Sequence, residues 1–536
     1  MTKLYSIRVN DNRLTQSDFN LLPVIAMVVP VKFTFGGNNN DHCAGEILVC
    51  EEKQSVVGER KSSTSSLSIP PRSTSSGNAA LEQIEVQFSA DLEVPFPFRG
   101  RLLKTSVEGN IKPLLPGQAE RVLASTKHGP VWTVSMEGVV KNFRSSFALP
   151  VIPPEGNLRD VLNGDRFLEV LPLMHFIHEV CAESLYEGPP LRACFMFDDP
   201  NLHWTSYGYV NYRRVVEQAK KEHYHVSFAT VPLDNWFTHS TTATLFREHS
   251  KQLSMLVHGN NHTHQELLQD LSEPGREGLL WQSLHRIVHL EKSAGFEVSR
   301  VMAAPHGACS DAMMESLVRC GFESATISHG SLRVHNKGRE WTRTLGYLPS
   351  ETIRGCPVLP RWRLAANATN TILLAAYLRQ PIILVGHHQD LKNGTDVLDQ
   401  LARFINSLGA VSWGDMAELS RNNYYQRVDG DTLKIKPMGR KVSVQLPQSV
   451  KYIAVENPFP LSWAGWNLIS GKTVIGKVRP GEARSLSGVA DGRISIEVET
   501  KLSEPPSNIS IRRSPSALIR RLATEARDRL RPLVNR

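Results

Sequence analysis

The sequence lacks the features that would place it in several large classes of protein. Its 536 residues hold seven cysteines, an odd number, and no two of them form a Cys-x-x-Cys pair. That usage gives no disulfide framework and implies reduced thiols in a core. No apolar run reaches the roughly 20 residues that crossing a bilayer requires. The run Leu21 to Val31 is short, is interrupted by Pro23 and Pro30, and reads as a buried strand. Met1 to Arg13 contains no basic segment leading into an apolar one, so a cytoplasmic protein is expected. Aromatic residues are only 7% of the chain and do not interleave with basic clusters, so nucleic acid is not an expected partner. The net charge of +8 is mild for this length and suits an acidic glycan or anionic surface equally well. With 41% apolar and 21% charged residues, the chain has the composition of a soluble globular protein of several domains.

What is present begins at Phe195-Met196-Phe197-Asp198-Asp199-Pro200. An apolar run from Ala193 ends in two adjacent carboxylates, as a strand does when it delivers acids to its carboxyl end. Two ionised neighbours repel and need a cation, a shared proton or full solvation. Asp pairs also cap helices and make turns, and that plain role is the commoner one. The sequence after it shifts the balance. The run Leu253 to Val257 ends in His258-Gly259-Asn260-Asn261-His262, with His264 just beyond. Histidines four apart converge on one ion if the backbone between them turns, which Gly and Asn permit. One carboxylate and two imidazoles leave a coordination position open, as a catalytic metal site requires. Val301 to Ala304 ends in Pro305-His306-Gly307, and Pro381 to Val385 ends in Gly386-His387-His388-Gln389-Asp390. Four strand ends with such groups match the edge of a parallel α/β sheet, where active sites collect.

This order of motifs, over about residues 190 to 415, resembles the polysaccharide deacetylase (NodB-homology, carbohydrate esterase) superfamily. The resemblance implies that Asp198 is the catalytic base and that Asp199, His258 and His262 bind a divalent metal, with zinc the leading choice. It implies that His387, with His388 as the alternative, is the general acid, and that Pro305, His306 and Gly307 line the substrate groove. Two positions depart from the family pattern. Ala303 stands where the family has Arg, and Pro200 stands where it has Gly.

The flanking regions read differently. Residues 1–150 are β-rich, with alternation at Ile84 to Phe88 and Trp132 to Met136, and a sandwich is expected there. Ser62 to Ser76 reads as a loop. Residues 155–425 alternate strands and helices, which implies parallel strands with right-handed crossovers. The resemblance makes this a distorted (β/α)7-type barrel, so the fold class is α/β with β-rich flanks. Residues 428–500 read as a small all-β sandwich, in which Trp463 and Trp466 are core residues or sugar platforms. Residues 501–536 form a basic tail with a short helix, Ala517 to Leu530, that carries Leu518, Leu522 and Leu530 near one side. Such a tail is solvated, or makes weak contact with an anionic membrane or a protein, and the fold should not need it.

Three functions compete. The first is a metal-dependent hydrolase removing an acyl group, above all N-acetyl, from a sugar or polysaccharide. The second is a non-catalytic glycan-binding or scaffold protein on the same fold. The third, a glycosidase, needs two carboxylates across the scissile bond, and Asp198 has no such partner in the sequence.

Overall fold

The computed structural model describes residues 4–10, 20–36, 43–50, 64–72, 81–109, 111–457, 465–486, 492–506 and 515–534. The chain divides into two compact units. The first comprises Met1–Tyr186, Glu340–Leu348 and Asn370–Leu378, and the second holds the rest.

The first unit is built on one nine-stranded sheet rather than the sandwich that the alternation suggested. Its early strands, Tyr5–Asn10, Val31–Phe35, Gly45–Val49 and Ser65–Ile69, pair in parallel, and its later ones pair antiparallel. Parallel neighbours need a crossover, and this corrects the reading of Leu21 to Val31 as one strand. Leu21–Ala26 is a helix, with Pro23 in its first turn where a missing N–H costs nothing, and only Val31–Phe35 is strand. Likewise Ser65–Ile69 lies inside the stretch read as a loop, whose flanks fall outside the described residues.

The second unit carries the mixed α/β layer. Its parallel strands run in the order Cys356–Leu359, Ser324–Thr326, Val298–Ala303, Leu253–His258, Val226–Thr230, Arg192–Asp198, Ile382–Gly386 and Trp362–Arg363. Glu351–Ile353 adds an antiparallel edge, and no pairing among the described residues closes the ring. The Asp198 strand is buried at every position, between parallel neighbours on both sides. A strand covered on both faces must be apolar throughout, which is why these strands are continuous hydrophobic runs. The helices between them start at identifiable caps. Ser272 accepts from Gly275 N ahead of Glu273–Ala294, and Ser310 accepts from Met313 N ahead of Asp311–Arg319. Gly295, at φ 73°, ends the longer of these two helices in the left-handed conformation.

Beyond the sheet, two four-stranded sheets enclose a core of Leu433, Ile435, Val442, Ile453, Trp466 and Ile496. Trp466 is fully buried in that core, so it is not a sugar platform, and Trp463 lies outside the described residues. None of the described cysteines is disulfide-bonded, and five are buried. No described helix is long and apolar enough to cross a membrane.

Candidate active site

Asp198 is the last residue of its strand and is 6% exposed. A carboxylate this deep needs a counter-charge. Arg361, just past the end of Cys356–Leu359, provides it, with Nη1 3.3 and 3.2 Å from the two oxygens of Asp198. Thus the guanidinium that Ala303 cannot offer arrives from a different strand end. Ala303 is itself fully buried, and its carbonyl has another use.

The next residue, Asp199, turns at φ 83°, a conformation that Asp tolerates better than most side chains. Its carboxylate takes partners different from those of Asp198. Oδ1 of Asp199 lies 3.4 Å from His262 Nε2. His258, at the end of its own strand, places Nδ1 2.9 Å from the Ala303 carbonyl. A carbonyl only accepts, so Nδ1 carries the proton and Nε2 keeps its lone pair for a ligand.

The loop from His258 to His262 is wound around a carboxylate absent from the sequence-level site. Glu266, 1% exposed, accepts from the backbone N–H groups of Asn260, Asn261 and His262 at 2.8, 2.7 and 3.1 Å. A Cβ on Gly259, at φ +63°, would lie 2.6 Å from Pro305 and 2.7 Å from Glu266, so only glycine fits. The outcome is that one donor atom each from Asp199, His258 and His262 lies within 4.8 Å of the others. One carboxylate oxygen and two imidazole nitrogens at this spacing are a fitting donor set for zinc or a similar ion.

His306 joins the cluster, its ring centroid 5.0 Å from that of His262 and 5.5 Å from that of His264. The Pro305-His306-Gly307 turn therefore sits against the triad, with Gly307 at φ +67° close to Ser331. The two late histidines separate. His387 is exposed and within electrostatic reach of Asp199. His388 is buried, stacked on Tyr209 at 5.8 Å and edge-on to Tyr207 at 5.7 Å.

The largest departure from expectation is the tail. It is not a solvated segment: Pro515–Val534 is a helix packed along the site. Arg521 places Nη1 3.1 Å from Asp199 Oδ1 and Nη2 2.6 Å from Asp234 Oδ2. Arg520 donates to the carbonyls of Asn261 and His262. Glu525 meets His203 Nδ1 at 3.0 Å, while His203 Nε2 faces the Asp234 carbonyl at 2.7 Å. Asp528 accepts from the Tyr207 hydroxyl at 3.3 Å and lies 3.5 Å from His388 Nε2. Leucine spacing missed this face, because the groups that turn inward are charged.

These contacts set the electrostatics. Burial alone would raise the Asp199 pKa, but Arg521 and the neighbouring imidazoles outweigh it and hold the carboxyl well below its usual range. Burial pushes His262 down to about 3, so its imidazole is neutral at ordinary pH, as a ligand must be. Burial likewise lowers His306.

No family model matches the sequence, and no curated protein matches it. Solved structures do. The carbohydrate deacetylase Agd3 is similar over 93% of this chain and 99% of its own, at 10% identity and TM-score 0.46. The peptidoglycan deacetylase PdaC from Bacillus subtilis is similar over 44% of this chain and 91% of its own, at 13% identity and TM-score 0.25. BA3943 from Bacillus anthracis, a CE4-family pseudoenzyme, is similar over 44% of this chain and 66% of its own, at 13% identity and TM-score 0.26. At identities this low, function has to rest on the chemistry of the site.

Proposed function

We propose that this chain is a metal-dependent deacetylase that hydrolyses an N-acetyl or related acyl group on a sugar or polysaccharide. The observation that carries the reading is the convergence of Asp199, His258 and His262 beside a second carboxylate, Asp198, held in place by Arg361. Asp199, His258 and His262 would hold a divalent ion, zinc being the best match to an N2O donor set. When bound, such an ion supplies Lewis-acid polarisation of the acyl carbonyl.

The chain's own residues do the rest. Asp198 accepts a proton from the attacking water, and Arg361 fixes which way its carboxylate faces. The hydrogen bond to Ala303 keeps the His258 ring in one tautomer and one orientation. His387, exposed at the rim, donates a proton to the departing amine or alcohol. The Pro305-His306-Gly307 turn forms one wall for the sugar. The carbohydrate class of substrate is part of this proposal, as is the division of labour between the two aspartates.

A second reading, a non-catalytic glycan-binding protein, is favoured by one observation: the guanidinium of Arg521 against Asp199. Metal analysis with an acetate-release assay on acetylated amino-sugar oligomers decides between them. About one zinc ion per chain is expected, lost in His258→Ala and in His262→Ala together with acetate release. Stoichiometric metal in both variants, or metal without acetate release from any oligomer, would count against the hydrolase.

A further inference from the structure

The helix Pro515–Val534 has an unusual inner face. Arg521, Glu525 and Asp528 lie four and then three residues apart, which places them on one side. All three are buried, at 3%, 8% and 3% exposure. On the other side Ile519, Leu522 and Leu530 are 67%, 46% and 56% exposed. A helix that belongs to a core buries its apolar stripe, and this one does the reverse. Among its described side chains the fully buried apolar contribution is Ala517, against Val231 and Leu233, with Leu518 half-buried.

Buried charges persist only where partners wait for them. Here the partners are groups of the candidate active site and its rim: Asp199 and Asp234 for Arg521, His203 for Glu525, and Tyr207 and His388 for Asp528. Arg529 donates to the Ser206 carbonyl and to Asn201 Oδ1, completing the row. Among the described side chains the helix is therefore fastened mainly by polar contacts, one of them to Asp199 of the triad.

We propose that this helix is an internal occupant of the active-site groove, one that metal and substrate must displace. The proposal rests on the metal-dependent reading above and adds the regulation of that site. Its chemistry is simple competition. The guanidinium of Arg521 and the imidazole of His262 approach the same oxygen of Asp199, at 3.1 and 3.4 Å. A divalent ion entering the triad must share that carboxylate with a cation already there, and the two repel. The helix also walls a cavity of about 560 Å³ with Leu522, Glu525, Ala526 and Arg529, opposite His203, Trp204, Trp236 and Phe237. Trp204, Trp236 and Phe237 are 60%, 44% and 49% exposed, flat faces of the kind on which pyranose rings stack. Withdrawal of the helix would open that cavity and bare Asp199, Asp234 and His203 together, an acidic and aromatic surface suited to an amino-sugar polymer.

The test uses the full chain. Zinc affinity is measured by competition with a chromophoric chelator, and amide exchange of residues 515–534 is followed with and without zinc. Arg521→Gln is expected to bind zinc about tenfold more tightly than the unaltered chain, the size of one lost charge-assisted pairing. Zinc should speed exchange in 515–534 of the unaltered chain. Should Arg521→Gln fold poorly, Glu525→Gln, which loosens the helix without touching the triad, is expected to shift affinity in the same direction. Equal or weaker zinc binding by the variants, or exchange in 515–534 that zinc leaves unchanged or slows, overturns the proposal and makes the helix a fixed wall. Zinc bound by no form at all overturns the metal reading and this proposal together. Zinc bound equally by all forms overturns this proposal alone.

Discussion

Two aspartate–arginine pairs, one buried and one partly exposed at its aspartate, stand side by side at the carboxyl edge of the sheet, and they are built differently. In the first, Asp198 and Arg361 both belong to the sheet and its strand ends, and each side chain is 8% exposed. In the second, Asp199 belongs to the sheet but Arg521 arrives on a helix held by a handful of polar contacts. A pair whose partners share one framework is kept by everything that keeps the framework. A pair that bridges to a separately fastened element can open without unfolding anything else. On the proposed reading the adjacent carboxylates have different tasks, one kept in a fixed orientation and one exchanging its cation.

The sharpest way to break this comparison is to neutralise each aspartate in turn. Asp198→Asn should retain zinc and lose turnover by about 10²- to 10⁴-fold, because an amide cannot accept the proton of the attacking water. Asp199→Asn should lose zinc affinity and turnover together, since the amide oxygen is a poorer ligand than a carboxylate. Metal content and acetate release are to be measured in parallel on both. If Asp198→Asn loses the metal while Asp199→Asn keeps it, the two roles are exchanged.

Removing the fixed arginine is the next largest change. Arg361→Ala leaves the Asp198 carboxylate buried without its counter-charge, and breaking such a pair costs about 3 kcal/mol or more of stability. The guanidinium on the helix should behave otherwise: Arg521→Gln leaves the global denaturation midpoint nearly in place while loosening residues 515–534. Urea titrations of both variants make the contrast measurable. Equal destabilisation by the two would mean that the helix is as integral to the fold as the sheet.

Much of the sheet was legible because a parallel strand covered on both faces has to be an apolar run, and its end is marked where polar groups begin. Ala193 to Phe197 and Leu253 to Val257 are of that kind. The histidine pair of the triad was legible for a related reason: a His-x-x-x-His turn with Gly259 inside it is a local feature of the sequence, whereas Asp199 is brought to it by the sheet. Arg361 was not legible. Ala303 reads as a lost arginine only if the guanidinium must come from that strand, whereas the site requires only that one reach Asp198. Glu266 was missed because it acts on backbone N–H groups, which leave no mark in side-chain patterns. The last helix was read as a solvated basic tail because its many charges look like a water-facing surface. Leu522 and Leu530 are exposed, and the buried face is Arg521, Glu525 and Asp528, a pattern that makes sense only once its charged partners are in place. The N-terminal crossover Leu21–Ala26 was taken for strand because a short apolar segment has no decisive period.

The smallest predicted effect is one of pH, and it concerns the helix alone. Burial by itself would raise the pKa of Glu525, but its hydrogen bonds and charge interactions with His203 and Arg529 outweigh burial and bring it from 4.5 to about 2. A carboxyl depressed in this way favours the docked helix only while it is ionised. Its contribution is complete above the ordinary value of 4.5 and is lost as the pH falls from there towards 2. Asp528 shifts in the same direction, with His388 and Arg527 outweighing burial. Proton linkage through Glu525 alone gives docking about fourfold weaker at about pH 4 than at neutral pH. Amide exchange in residues 515–534, corrected for the intrinsic pH dependence, should show that loss of protection. The strand Arg192–Asp198 serves as the internal reference and should stay protected over the same range. Glu525→Gln should flatten the response, because the amide has no proton to gain. Protection in 515–534 that does not change on acidification, or that falls only together with the Asp198 strand, would show the helix to be fastened by something other than these ion pairs.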